Sequence, residues 1–301
     1  MDFFERMKGQ YAYVSLEKET ALARYTTLRV GGPAEYFAEP ADEEQLLALL
    51  RTARETGTPV MLMGNGSNLL VRDGGVPGLT IHLGKRFSAI RETEEGLYAQ
   101  AGALLSVLSK AALDGSWTGL EFAQGIPGSV GGGVYMNAGA YGGEIGPLVK
   151  SVRVLEGETI RDIPGGDMAF SYRHSRAMEE SWVILGASFA LKKGEKEAIG
   201  AAMQDYAARR KEKQPLEYPS AGSFFKRPQG YFAGALIEQA GLKGLKEGGA
   251  QVSEKHAGFL INTGGASAAD FLRLMERVRQ TVWEQSGVML EPEVRIVGKE
   301  K

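Results

Sequence analysis

The chain has 301 residues, a formal net charge of −2, 43% hydrophobic and 24% charged residues, and no cysteine. That length buries a large core in two or three lobes. The mixed charge gives no basic footprint for nucleic acid, and the missing thiols exclude disulfides, thiolate metal sites and cysteine catalysis. The three histidines, His82, His174 and His256, are too scattered to form a metal site, so no metal is expected. The opening stretch, MDFFERMKGQ, has no apolar core of signal-peptide length. The longest uncharged run, Phe122 to Gly143, is glycine-rich and contains Pro127, so it does not read as a membrane span. A cytoplasmic protein with no membrane contact and no obligate protein partner is expected.

In chain order, Leu28 to Glu39 reads as strand, glycine turn, strand. Asp42 to Thr56 reads as an amphipathic helix with acids in its first turn and Gly57 as its stop. Pro59–Met63 is expected to be a short buried strand feeding the loop Gly64-Asn65-Gly66-Ser67-Asn68. Leu79–Leu83 and Leu97–Ala101 read as strands, Leu104 to Leu113 as a helix, and Val149–Leu155 and Trp182–Leu191 as strands. After the break at Lys192 to Lys196, Ala198 to Lys213 reads as a helix ending in Arg209-Arg210-Lys211, charges that suit a helix C-terminus. Phe232 to Gln239 is a short helix stopped by Gly241. Ser267 and Asp270 have capping-box spacing for a helix running to Ser286 before Gly287. Its stripe of Phe271, Met275, Val278 and Val282 is read as core. Val294–Val297 is a closing strand. The pattern is α+β, without the regular alternation of a doubly wound sheet, and the division falls near residue 193.

Gly125 to Gly146 holds nine glycines in 22 residues, with no charge before Glu144. Glycine is entropically costly to order, so this density implies backbone that a Cβ would obstruct. Together with Gly64–Asn68 it suggests backbone N–H groups gathered around a large anionic ligand; a pair of tight turns is the plainer alternative. Familiar phosphate motifs fail. Leu69 stands where a dinucleotide fingerprint needs its third glycine, and Asp73-Gly74-Gly75 breaks the chain before a full helix. Neither loop ends in Gly-Lys-Ser/Thr, and Gly-x-Ser-x-Gly is absent.

Eight segments in order resemble the UDP-N-acetylenolpyruvoylglucosamine reductases, flavoenzymes that complete UDP-N-acetylmuramate for peptidoglycan. They are Leu28–Ala34, Gly64–Asn68, Gly119–Ala123, Gly125–Gly132, Met136–Gly142, Tyr172-Arg173, Gly222–Pro228 and Leu290–Arg295. The resemblance implies an FAD-binding region of the vanillyl-alcohol-oxidase (PCMH) type with two subdomains, residues 1–192, and a C-terminal α+β substrate lobe, residues 193–301. Gly64, Asn65, Gly66, Ser67 and Asn68 would hold FAD, the loop most naturally meeting its pyrophosphate. Gly125, Ile126, Pro127, Gly128, Ser129, Gly131, Gly132, Asn137, Ala138, Gly139 and Ala140 would line it further. With no cysteine, and no histidine in either loop, FAD is expected to be dissociable.

The reaction so implied passes hydride from NADPH through FAD to an enolpyruvyl ether of UDP-N-acetylglucosamine. Arg173 aligns with the family's catalytic arginine and would bind developing enolate charge. Ser223 aligns with the proton donor, and Glu293 with the catalytic glutamate. An ionised Glu293 beside the substrate carboxylate would be repulsive, so it is expected to work protonated. Tyr172, Arg209, Lys213, Lys226 and Arg227 fall at positions expected to contact substrate. Read without the resemblance, these are a surface arginine, a turn serine, a strand carboxylate and solvated charges. The tyrosine-bearing insertion of longer relatives is missing, so the chain resembles the shorter class, with Tyr231 as the candidate substitute. Two rivals remain: another FAD oxidoreductase of the same fold, and a nucleotide-sugar binding protein without catalysis.

Overall fold

The computed structural model describes residues 2–301, and the chain packs as two compact units. One comprises the chain up to Leu16, Ala38–Asn65 and Thr80–Arg210; the other comprises Glu17–Phe37, Gly66–Leu79 and Lys211–Lys301. The sequence reading divides the chain once, near residue 193; the compact units instead interleave, with their last change at Arg210/Lys211.

The first unit is built on a five-stranded antiparallel sheet, in the order Thr159–Pro164, Val149–Glu156, Trp182–Ala190, Gly96–Gln100, Ile90–Thr93. Trp182–Ala190 is its middle strand and is buried over six consecutive residues. A strand covered on both faces reads as a continuous apolar run, as Trp182-Val183-Ile184-Leu185 does. The helix Glu43–Thr56 forms as expected: the Asp42 carboxylate accepts from Gln45 N–H, and Gly57 closes the helix at φ 65°. Leu105–Asp114 is the second expected helix.

Three features of this unit differ from the sequence reading. Phe3–Gln10 is a helix capped by Asp2. The strand Val60–Met63 buries only Met63, leaving Val60 and Leu62 exposed. Val130–Tyr135, inside the glycine run, is a short helix. Glycine is a poor helix former, but close packing requires it here. A Cβ on Gly131 would lie 2.9 Å from the Ala101 Cβ, and one on Gly133 would lie 3.0 Å from a Leu105 methyl.

The second unit joins three separate stretches around one core. Leu28, Val30 and Leu70 pack with Phe224, Phe225, Ile237, Phe271, Leu274 and Val278, all buried. The stripe on the helix Ala268–Ser286 is therefore core, as read. Of the Leu28–Glu39 reading, only Pro33–Ala38 forms a strand; Leu28 and Val30 enter the core without strand pairing. A four-stranded antiparallel sheet runs in the order Ser220–Ser223, Phe259–Asn262, Ala250–Val252, Lys246–Glu247. The closing strand Arg295–Val297 pairs in parallel with Leu69–Val71.

The Ala268–Ser286 helix has an unusually full N-terminus. The Ser267 and Asp270 capping box is present. The two oxygens of Asp73 accept from the N–H groups of Ala268 and Ala269, each at 2.9 Å. The Asp73-Gly74-Gly75 break thus delivers a carboxylate to a helix whose first amides would otherwise lack partners.

Candidate functional site

In the first unit the two glycine loops meet. The Asn65 side-chain amide donates to the Pro127 carbonyl, and a Cβ on Gly64 would lie 2.1 Å from Ser129 Oγ. Gly128 O and Ala103 O receive the N–H groups of Leu105 and Val130, which pins this stretch to the residues before the Leu105–Asp114 helix. Gly131 N–H is used by Ala101 O, Ile126 N–H by Ala123 O, and Ala138 N–H by Gly133 O. By contrast, the N–H groups of Gly128, Ser129 and Gly132 donate to no backbone carbonyl among the described residues. Nor does Ser129 cap the helix that follows it. In this unit the same holds for the N–H groups of Gly64 and Asn65; those of Gly66, Ser67 and Asn68, which belong to the second unit, likewise donate to no backbone carbonyl among the described residues. A donor-rich, uncharged lining with small side chains fits the phosphates and polar ring edge of a flavin nucleotide.

Gly139 and Ala140 pair with Gly143 and Glu144 in a short hairpin. Asn137, in front of it, is buried at 2% exposure and left-handed at φ 43°. Its side chain is committed to the protein: it donates to Ser171 O and to Glu144, and accepts from Gly146 N–H. Its backbone N–H also donates, to Val134 O at 3.3 Å, so the side chain and amide are both held by the protein.

Arg173 sits at φ 55° in a tight turn, where Ser171 and His174 exchange backbone hydrogen bonds of 3.2 and 3.1 Å. That conformation costs a non-glycine residue roughly 1–2 kcal/mol. Of seven non-glycine residues at positive φ among those described, four are Asn137, Tyr141, Ala169 and Arg173. Strain therefore concentrates around this turn, as it does at functional sites. The Arg173 guanidinium lies 5.1 Å from the centre of the neighbouring Tyr172 ring, and Tyr172 itself is exposed.

Arg209 and Arg210 follow on the helix Lys196–Lys213. Arg209 pairs with Asp205 one turn away on the solvent side. Arg210, which the sequence reading passed over, lies against Gly125: a Cβ there would sit 2.8 Å from a guanidinium nitrogen. Burial pushes the Arg210 guanidinium down from its ordinary value, opposed by nearby Tyr141. No carboxylate pairs with it among the described residues. Tyr141 stacks on Tyr206 at 5.0 Å. The missed signal was the adjacency of two arginines on one helix, which places them on different faces.

In the second unit the segment after Ser223 runs against the segment that carries Glu293. Glu293 N–H donates to the carbonyl of Phe224 at 2.9 Å, and Lys226 N–H to that of Glu291 at 2.9 Å. Phe224 and Phe225 are fully buried, which anchors this short ladder and leaves the preceding Ser223 exposed. Asn68 brackets the glutamate: its side chain donates to Glu293 O at 3.1 Å, and its own carbonyl accepts from Arg295 N–H at 3.0 Å. Glycine is required nearby at position 66, where φ is 59° and a Cβ would lie 2.0 Å from Tyr25 O. Lys226 pairs with Glu291 at 3.1 Å. Arg227 lies 4.0 Å from the Phe232 ring and donates to Tyr231 O. Lys213 is exposed at the end of its helix, and Ser67 is half-buried.

Residues 34–159 match the model of an FAD binding domain, and residues 214–297 match the C-terminal domain of UDP-N-acetylenolpyruvoylglucosamine reductase. A reductase of that name from Clostridium novyi is 48% identical over 302 residues, covering 100% of this chain and 98% of the relative. One from Limosilactobacillus fermentum is 46% identical, covering 98% and 99%. The chain belongs to the UDP-N-acetylenolpyruvoylglucosamine reductase family. The crystal structure of the reductase from Thermus caldophilus superposes with a TM-score of 0.80 at 37% identity, covering 94% of this chain and 98% of that one. The fold is accordingly the expected α+β FAD-binding region joined to the family's C-terminal domain. Among the described residues no helix is long and apolar enough to cross a membrane.

Proposed function

We propose that this chain reduces the enolpyruvyl ether of UDP-N-acetylglucosamine to UDP-N-acetylmuramate, with NADPH as reductant, FAD as dissociable cofactor, and Arg173, Ser223 and Glu293 as its catalytic residues. The observation that carries the reading is the hydrogen bond from Glu293 N–H to Phe224 O, which holds the Glu293 backbone against the residue that follows Ser223, with the Asn68 side chain bonded to the Glu293 carbonyl. When bound, FAD supplies hydride to the terminal carbon of the enolpyruvyl group, having received it from NADPH.

The protein's own residues handle charge and one proton. Arg173 holds the substrate carboxylate; a guanidinium stays charged at any working pH and stabilises the negative charge that develops next to that carboxylate. Its strained turn fixes the direction of the side chain before substrate arrives. Ser223 Oγ delivers the proton to the adjacent carbon. A hydroxyl is a weak acid, but a carbanionic carbon is basic enough to take its proton. Glu293 works as the neutral acid and donates a hydrogen bond toward the developing enolate, because a second carboxylate charge there would raise the barrier. Arg210 joins Arg209, Lys213, Lys226, Arg227 and Tyr172 as a substrate or cofactor contact, since a desolvated guanidinium without a carboxylate is suited to a phosphate.

The test is NADPH oxidation by the FAD-loaded protein with and without the enolpyruvyl compound. Rapid turnover only in its presence supports the reading. A flavin that NADPH reduces but the compound leaves reduced would remove the substrate assignment and point to another oxidoreductase of this fold.

A further inference from the structure

We infer that Asn137 is a positioning residue for Arg173: the glycine run read as a cofactor cradle also holds the turn that carries the arginine. This inference rests on the proposed role of Arg173 for its catalytic consequence, though its structural part stands alone.

The geometry is local and complete. Asn137 donates to Ser171 O at 3.0 Å and to Glu144 Oε2 at 3.2 Å, and accepts from Gly146 N–H at 2.8 Å. Ser171 is the first residue of the Arg173 turn, so the first of these bonds holds the turn at its base. A second tie follows the turn: Ser175, fully buried, donates its hydroxyl to Tyr135 O at 2.8 Å. Tyr135 and Asn137 flank the end of the short Val130–Tyr135 helix, so both ties lead to one short stretch of backbone. Between them Arg173 keeps its left-handed φ of 55°.

Residue chemistry narrows what position 137 accepts. Its φ of 43° favours asparagine, aspartate or glycine. The bonds demand two donors and one acceptor, which only an amide supplies. Aspartate would turn a carboxylate toward a carbonyl and toward Glu144, while glycine would keep the backbone and drop all three bonds.

The experiment uses FAD-loaded Asn137→Gly and Asn137→Asp, with Ser175→Ala as the milder variant should the others fold poorly. Flavin content, flavin reduction by NADPH, and reoxidation of the reduced enzyme by the enolpyruvyl compound are measured separately. Asn137→Gly is expected to slow reoxidation about 10- to 100-fold, the effect of a misplaced catalytic group, with flavin content and reduction by NADPH within about twofold of the parent. In an Arg173→Ala background the same change is expected to add nothing further. Trypsin cleavage after Arg173 should quicken in Asn137→Gly without new cuts elsewhere, a readout that needs no substrate. Unchanged cleavage at Arg173, lost FAD binding, or losses that multiply in the double variant would each overturn the inference. If the parent enzyme ignores the compound while Asn137→Gly still loosens the turn, the activity reading fails and the positioning remains.

Discussion

Replacing Asp73 by alanine tests how firmly the Gly66–Leu79 stretch is built into the second unit. Its carboxylate accepts from the N–H groups of Ala268 and Ala269, each at 2.9 Å, at the start of the 19-residue helix Ala268–Ser286. Asp270 N–H already goes to Ser267 Oγ, so the alanine variant strands two amides at the positive end of the helix dipole. One cap bond lost usually costs about 0.5–2 kcal/mol, and a carboxylate facing the dipole contributes about 0.3–1 kcal/mol more. Two bonds in a half-buried site give about 2–3 kcal/mol, or about 3–5 °C in Tm for a chain of this length. Asp73→Asn keeps one accepting oxygen and should lose about half as much. Urea unfolding of the apoprotein, followed by circular dichroism, gives both values at unchanged slope. If Asp73→Ala stays within about 0.5 kcal/mol of the parent, the long-range cap does not hold the stretch. Since Asn68 lies five residues upstream and brackets Glu293, the alanine variant should also reoxidise more slowly with substrate.

Three further outcomes follow from the site. Asn68→Ala removes the side-chain bond to Glu293 O; substrate reduction should fall about 10-fold or more with NADPH reduction of the flavin little changed, and equal losses in both half-reactions would refute that division. Arg210→Met should raise the stability of the apoprotein while weakening FAD or substrate binding, because a desolvated cation without a carboxylate is relieved; a drop in apoprotein Tm would oppose it. Burial holds the His256 ring below its ordinary value of 6.5, and its neutral Nδ1 accepts from Gly258 N–H. Because protonation then favours the unfolded chain, stability should be full above about pH 6.5 and fall as pH drops below it. His256→Gln should flatten the change in Tm between about pH 7.5 and 5.5; an identical drop in both proteins would show that His256 is not responsible.

Much of the local structure could be read from residue order because its causes are local. Asp42 and Gly57 bound one helix and Ser267, Asp270 and Gly287 another, each through contacts within a few residues. The family motifs likewise marked Arg173, Ser223 and Glu293 as candidates from residue order alone. What stayed hidden depends on pairing across long separations. Nothing near Leu28, Val30 or Leu70 announces that they pack with Phe224 and Phe271, and nothing near Asp73 announces its helix. The short helix Val130–Tyr135 was obscured by three glycines, two of which, Gly131 and Gly133, serve close packing rather than backbone conformation. Asn137 was grouped with the cofactor loop because motif position carries no information on where a side-chain amide turns.

The parallel pairing of Leu69–Val71 with Arg295–Val297 also sets a schedule for biosynthesis. Arg295 leaves the ribosome 226 residues after its partner Leu69 (295 − 69), about 10–45 s at ordinary elongation rates. Through that interval Leu70 and Val71, both wholly buried in the finished fold, have no partner strand. Glu293 cannot take its place beside Asn68 until the same moment. The nascent chain therefore carries an apolar strand edge, open to mispairing, for as long as it lacks Glu293 and Arg295. Faster completion of the last segment, or a chaperone that covers residues 69–71, would raise the yield of active enzyme without altering its final stability.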